Sequence, residues 1–205
     1  MRESKFVGIG PEEVCALRRS DPAVGEISRV RKAGSTLSFK WLRQKFGRNR
    51  DLWTELGRGV NVLTSTEQLD QYLYSYGLMV ECQWQQMSSS WVGQGPVRLI
   101  DYGCGQGLAG LLLYDKWGDA FASSLDRVIL IEPSPKALVR AESVYRSMAP
   151  ESDIVCLNVG FDAVQAAHLE GAADLHTMHI FSNVLDIEGY NQFRGAVSPT
   201  TTCLH

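Results

Sequence analysis

Residues Leu99–Gly110 read LIDYGCGQGLAG, and this stretch decides how the rest of the chain is read. Four of its twelve residues are glycine, and they follow an apolar run that starts at Val97. A glycine-rich turn after a strand lets backbone come close to a ligand. Two fingerprints overlap here. Gly105, Gly107 and Gly110 fit the GxGxxG spacing of dinucleotide sites. Gly103, Gly105 and Gly107 fit an acidic-x-GxGxG turn led by Asp101.

The two fingerprints make opposite electrostatic demands. A dinucleotide pyrophosphate is a dianion that sits on a helix N-terminus, where amides and dipole favour negative charge. A carboxylate at the strand tip works against it. S-adenosylmethionine carries a sulfonium and an ammonium, and a carboxylate there suits both. The strand register agrees. VRLIDY runs straight into Gly103 and leaves Asp101 at its carboxyl end, where open parallel sheets bind ligands. Starting the fingerprint at Gly105 would end the strand on Tyr102–Gly103–Cys104, a poorer strand. Gly110 then falls early in the next helix, where it permits close packing on the sheet.

Working outward, strand and helix patterns alternate. GLAGLLLYDKW reads as a helix opening from the glycine turn, and RVILIEP as a strand stopped by Pro133. SPKALVRAESVYRSM reads as a helix capped by Ser134 with Pro135 in its first turn. DIVCLNV is a third strand, DAVQAAHLE a helix, and LHTMHIFSNVLD holds a fourth strand. Such alternation predicts an α/β fold with a mostly parallel sheet over residues 96–190. Glu132 closes the second strand, where an acidic residue accepts hydrogen bonds from both ribose hydroxyls of an adenosine ligand. It serves either cofactor.

Residues 1–95 read as a helical N-terminal region. Asp21 with Pro22 starts one helix, Ser35 or Ser38 another, and Gly34 and Gly47 are stops. The strongest helix follows Thr64 and Ser65, where Thr64–Glu67 or Ser65–Gln68 forms a capping box. Leu69, Leu73, Tyr76, Val80, Trp84 and Met87 recur at helical spacing, and Gly77 marks close packing or a ligand approach. SSSWVGQGP, residues 88–96, is the expected boundary, and residues 191–205 read as an irregular tail.

LIDYGCGQG, VILIEPS ending its strand on Glu132, DIVCLNVGFD and HIFSNVLD together resemble the first four strands of class I S-adenosylmethionine-dependent methyltransferases. The resemblance covers roughly residues 97–190, about half the chain. It implies a Rossmann-like sheet with S-adenosylmethionine bound across the first two strands. Gly103, Gly105 and Gly107 would pass under its methionine and ribose, Asp101 would sit near the amino group, and Glu132 on the ribose. The family often places an Asp after the third strand, against the adenine amino group. Asp162 is the match here, a few positions late, and Phe161 offers stacking beside the adenine. The family's fifth to seventh strands have no counterpart, so the expectation is either a truncated chain or a fold completed by a partner.

Methyl transfer is an in-line displacement, so the protein mainly aligns the acceptor and excludes water. The end of the fourth strand offers Ser182, Asn183 and Asp186. An Asn amide can hold an acceptor amine, but the Pro-Pro-Tyr of Asn-Pro-Pro-Tyr enzymes is absent. Ser182 and Asn183 equally suit a simple turn. His176 and His179 lie three apart on a strand and point to opposite faces, so no metal site is expected. Cys104 reads as filler in the turn, and the five scattered cysteines as reduced thiols. Tyr72, Tyr76 and Trp84 suit a lid over the cofactor or plain core packing.

The net charge of −3 is unevenly spread. Residues 1–60 hold 13 lysines and arginines against 7 acids; the remainder holds 7 against 16. Arg29, Arg31, Lys32, Lys40, Arg43, Lys45, Arg48 and Arg50, with Trp41 and Phe46 between them, suggest a nucleic-acid or protein acceptor, or a solvated helical face. No apolar run approaches the roughly 20 residues of a membrane helix, and no secretory pattern opens the chain, so no membrane partner and a cytoplasmic protein are expected. The reading that emerges is an S-adenosylmethionine-dependent methyltransferase of unknown acceptor. Its rivals are a truncated or degenerate fold acting as an interaction module, and a nicotinamide oxidoreductase.

Overall fold

In the computed structural model, which describes residues 2–46, 48–86, 95–169, 175–184 and 202–204, the apolar runs line up as parallel strands. These are β1 (Lys5–Val7), β2 (Val97–Tyr102), β3 (Leu125–Ile131), β4 (Asp153–Leu157), β5 (His176–Phe181) and β6 (Thr202–Leu204). Their order is β1-β4-β3-β2-β5-β6, and every neighbouring pair is parallel. The fold is the expected Rossmann-like α/β, with two strands beyond the four legible ones.

Those two strands correct the division of the chain. The region before residue 95 is not helical throughout: Lys5–Val7 pairs with Val155–Leu157 and covers the edge of β4. Within the tail expected to be irregular, Thr202–Leu204 pairs with β5. The rest of that tail, Met87, most of the 88–96 break and Asp186 lie outside the described residues.

The helices are α1 (Pro11–Ser20), α2 (Pro22–Lys32), α3 (Phe39–Lys45), α4 (Thr66–Gln85), α5 (Leu108–Ser124), α6 (Pro135–Met148) and the short α7 (Ala166–Leu169). Their starts follow local chemistry. Asp21 accepts from Ala23 N–H, Ser38 from Trp41 N–H, and Ser134 from Ala137 N–H. Ser65 and Gln68 close a capping box on α4. α5 has no side-chain cap; it opens from Gly107 at φ 82°, and Gly118 at φ 62° breaks its course. Gly77 serves packing: a Cβ there would lie 2.9 Å from the Phe39 ring of α3. Among the described residues no helix is long and apolar enough to cross a membrane.

Alternation along the strands makes two cores. Leu99, Val128, Leu130, Ile154 and Ile180 face α5 and α6. Ile100, Tyr102, Ile129, Val155 and Phe181 form the other face. α6 is buried along nearly its whole length, because α1 and α2 pack over its outer side. α3 and α4 lie against α5 in the same way. The N-terminal helices are therefore a third layer on one face of the sheet. The chain runs from β2 through β3 to β4, then returns to place β5 on the other side of β2. That reversal opens a crevice at the carboxyl ends of β2 and β5, where open α/β sheets take ligands.

Candidate ligand site at the carboxyl ends of the strands

The glycine turn is shaped by backbone that only glycine adopts easily. Gly103, Gly105 and Gly107 have φ of 60°, 51° and 82°. A side chain in that region costs about 1–2 kcal/mol per residue. Three hydrogen bonds hold the turn. Cys104 N–H donates to Ile131 O at 3.0 Å, Gly105 N–H to a Glu132 carboxylate oxygen at 3.0 Å, and Gly107 N–H to Cys104 O at 2.8 Å.

The glycines differ in what their missing Cβ would meet. At Gly103 it would lie 2.6 Å from Val184, at Gly107 3.1 Å from Ala141 of α6. At Gly105 it would meet nothing within 4 Å. Gly105 faces a cavity of about 300 Å³ at the carboxyl ends of the strands.

Eight of the nine described residues that the sequence offers for cofactor or acceptor contact line this cavity: Asp101, Gly103, Gly105, Glu132, Phe161, Asp162, Ser182 and Asn183. Gly107 does not; it packs on α6. The N-terminal region supplies the opposite wall, through Val60–Leu63, Leu69, Tyr72 and Val80. Of the three aromatic lid candidates, only Tyr72 reaches the cavity. Tyr76 stacks on Trp53 with centroids 5.6 Å apart, and Trp84 is buried. The Val60–Leu63 wall was missed because a loop has no period to read. Its signal was apolar residues in a loop; Val60 and Val62 remain about half exposed.

Two buried carboxylates dominate the electrostatics. One oxygen of Asp101, Oδ2, accepts from Tyr145 Oη at 2.8 Å; the other, Oδ1, is buried and has no hydrogen-bond partner among the described residues. Burial, and then the charge of Glu132, push Asp101 up to about 7, against the hydrogen bond from Tyr145. Glu132 accepts from Ser134 N–H at 2.9 Å and from Gly105 N–H, yet burial still pushes it up to about 7. Asn158 donates to the carbonyls of Glu132 and Pro133 and so fixes the end of β3. Asp162 adds a third, exposed carboxylate on the 3-10 turn Phe161–Ala163.

These shifts predict a pH dependence. Between about pH 4 and about pH 7 the folded chain holds protons on Asp101 and Glu132 that the unfolded chain has released. Their contribution favours the folded state at the acid end and is lost as pH rises through about 7. Denaturant midpoints at about pH 5 and about pH 7.5 check this. The Asp101→Asn/Glu132→Gln double variant is expected to flatten the difference found for the ligand-free wild type. An unchanged difference would show that other groups cause it.

The residues at the end of β5 are held by structure. Ser182 Oγ accepts from Trp84 Nε1 at 3.1 Å and so ties the end of α4 to β5. Asn183 has φ 55°, and among the described residues it is the only non-glycine with positive φ. Asn tolerates that conformation better than most side chains. His176 is exposed, while His179 is buried with Nδ1 2.9 Å from Tyr102 Oη. Burial lowers His179 to about 4. Burial also pushes the Cys104 thiol well up, as do Asp101 and Glu132, which disfavours a thiolate.

The sequence reading missed Arg140. It is 1% exposed, and its guanidinium grips Asp21 at 2.8 and 2.9 Å, Asp70 at 2.7 Å and Gln106 Oε1 at 3.0 Å. Gln106, the residue between Gly105 and Gly107, donates in turn to Leu69 O at 2.9 Å. One cation therefore joins α2, α4, α6 and the glycine turn.

At least four of the eight basic N-terminal residues have partners within the fold. Lys45 and Arg29 pair with Glu26, and Arg43 and Arg48 lie over the Tyr74 ring. Trp41 and Phe46 pack edge to face against the main core, not outward for base stacking. No family model and no curated protein matches this chain.

Proposed function

We propose that the cavity binds S-adenosylmethionine and that the protein is a methyltransferase whose acceptor is unidentified. One observation carries this reading. Among the described residues that line the cavity, the charged side chains are Asp101, Glu132 and Asp162, with no Lys or Arg. Carboxylates in a cavity disfavour a pyrophosphate dianion and favour a sulfonium or ammonium. That disfavours the nicotinamide alternative, although Gly105, Gly107 and Gly110 keep its spacing.

The residues present fit the cofactor. Asp101 Oδ1, buried without a partner, suits the ammonium. Each Glu132 oxygen keeps a second lone pair beyond its bond to Gly105 or Ser134, enough to accept ribose hydroxyls. Phe161 offers an apolar edge beside the adenine, with Asp162 next to it. Open space at Gly105 lets the ligand lie against backbone. When bound, S-adenosylmethionine supplies a methyl group already activated on sulfur. The chain's task is then to align the acceptor and keep water out, with Ser182 and Asn183 nearest in role.

The engagement of Ser182 by Trp84 and the turn geometry of Asn183 favour a second reading, a cofactor-fold module that binds without catalysis. Basic residues of the N-terminal layer still suit a nucleic-acid or protein partner under either reading.

Calorimetric titration with S-adenosylhomocysteine tests the cofactor assignment. The wild type is expected to bind. Glu132→Ala is expected to weaken binding by roughly 10- to 100-fold, the worth of hydrogen bonds to a charged group. Unchanged affinity in that variant would remove Glu132 from the site. Binding of S-adenosylhomocysteine with no methyl transferred from S-adenosylmethionine to any nucleic-acid or protein acceptor would favour the module.

A further inference from the structure

We propose that Tyr145 is a positioning residue for Asp101: it holds one carboxylate oxygen so that the other is presented to the cofactor's ammonium. This rests on the cofactor reading above. Tyr145 lies on α6, outside the cavity lining, and is completely buried. A buried phenol hydroxyl is costly unless bonded, and this one donates to Asp101 Oδ2 at 2.8 Å. The fold makes room for it. A Cβ at Gly110 would lie 2.2 Å from both Cζ and Oη of Tyr145. The fourth glycine of the opening stretch thus admits the phenol that reaches the tip of β2.

With Oδ2 held, Oδ1 is the oxygen left without a partner in a residue that lines the cavity. The groups around Asp101 are Tyr145 from α6, Cys104 from the turn and Glu132 from the end of β3. Its register neighbours, Leu130 and Ile180, are apolar. Burial and Glu132 oppose ionisation of Asp101, and the Tyr145 hydrogen bond supports it. Tyr145 therefore both aims the carboxylate and favours its charged form.

Two probes separate positioning from simple packing. S-adenosylhomocysteine carries the ammonium; methylthioadenosine keeps the adenosine and thioether but lacks the amino-acid group. Titrating wild type, Tyr145→Phe and Asp101→Asn with both ligands gives the test. Tyr145→Phe is expected to lose about tenfold in affinity for S-adenosylhomocysteine, the worth of one charge-assisted hydrogen bond, and to keep its affinity for methylthioadenosine. The pH below which S-adenosylhomocysteine binding falls is expected to move upward in Tyr145→Phe. Asp101→Asn is expected to show the same selective loss, which keeps the test open if Tyr145→Phe fails to fold. Equal loss of both ligands, or unchanged binding of S-adenosylhomocysteine, would overturn the role of Tyr145 and leave the cofactor reading standing. A folded wild type that binds neither ligand would overturn both.

Discussion

Arg140→Ala is expected to destabilise the protein by about 3–5 kcal/mol, the loss typical of breaking a buried ion pair from one side. The whole stability of a domain is only about 5–15 kcal/mol, so a large share of it depends on this side chain. The variant would leave Asp21, 4% exposed, with no guanidinium, and would orphan Asp70 and Gln106 as well. Burial raises Asp70, and Arg140 is what opposes that rise. The deficit is therefore expected to shrink toward acid pH, where Asp70 is protonated. Arg140→Lys keeps the charge but loses the two-pronged grip on Asp21, and is expected to recover only part of the loss. Denaturant unfolding at two pH values checks all three statements. A loss under about 1 kcal/mol, the range of exposed pairs, would contradict the hub.

Gly105→Val and Gly107→Val are expected to fail in different ways. Both place a β-branched residue at positive φ, at a cost of about 1–3 kcal/mol. Beyond that strain, valine at 105 meets open space inside the cavity, whereas valine at 107 meets the backbone of Ala141. Gly105→Val is expected to fold and to lose cofactor binding by at least about 100-fold, since its methyl groups occupy ligand space. Gly107→Val is expected to be the less stable of the two, because overpacking adds about 1–3 kcal/mol. Thermal unfolding beside calorimetry separates the two outcomes. If both variants lost stability equally and Gly105→Val still bound ligand, the turn would not face the ligand as described.

The features legible in the sequence are those with local causes. Short apolar runs bounded by turns mark β2 to β5, and Ser134–Pro135, Asp21–Pro22 and Ser65–Gln68 set helix starts through their own hydrogen bonds. Asp101 and Glu132 are legible because each stands at the carboxyl end of an apolar strand, Asp101 just before the glycine turn and Glu132 just before Pro133. β1 was missed because three residues, Lys5–Val7, carry no measurable alternation; pairing with β4 makes them a strand. Arg140 and Tyr145 were missed for another reason. α6 is buried on both sides, so its pattern does not separate a core face from a solvent face. Burial of an arginine only makes sense once Asp21 and Asp70, far away in sequence, are seen beside it. Gly110 was assigned to helix–sheet packing, and its neighbour is instead Tyr145 of α6.

The most direct test is to titrate the wild-type protein with S-adenosylmethionine, S-adenosylhomocysteine and NAD under one condition. The carboxylate-lined cavity predicts saturable one-to-one binding of the first two and no detectable binding of NAD. Binding of NAD alone, or of none of the three by a well-folded protein, would contradict it.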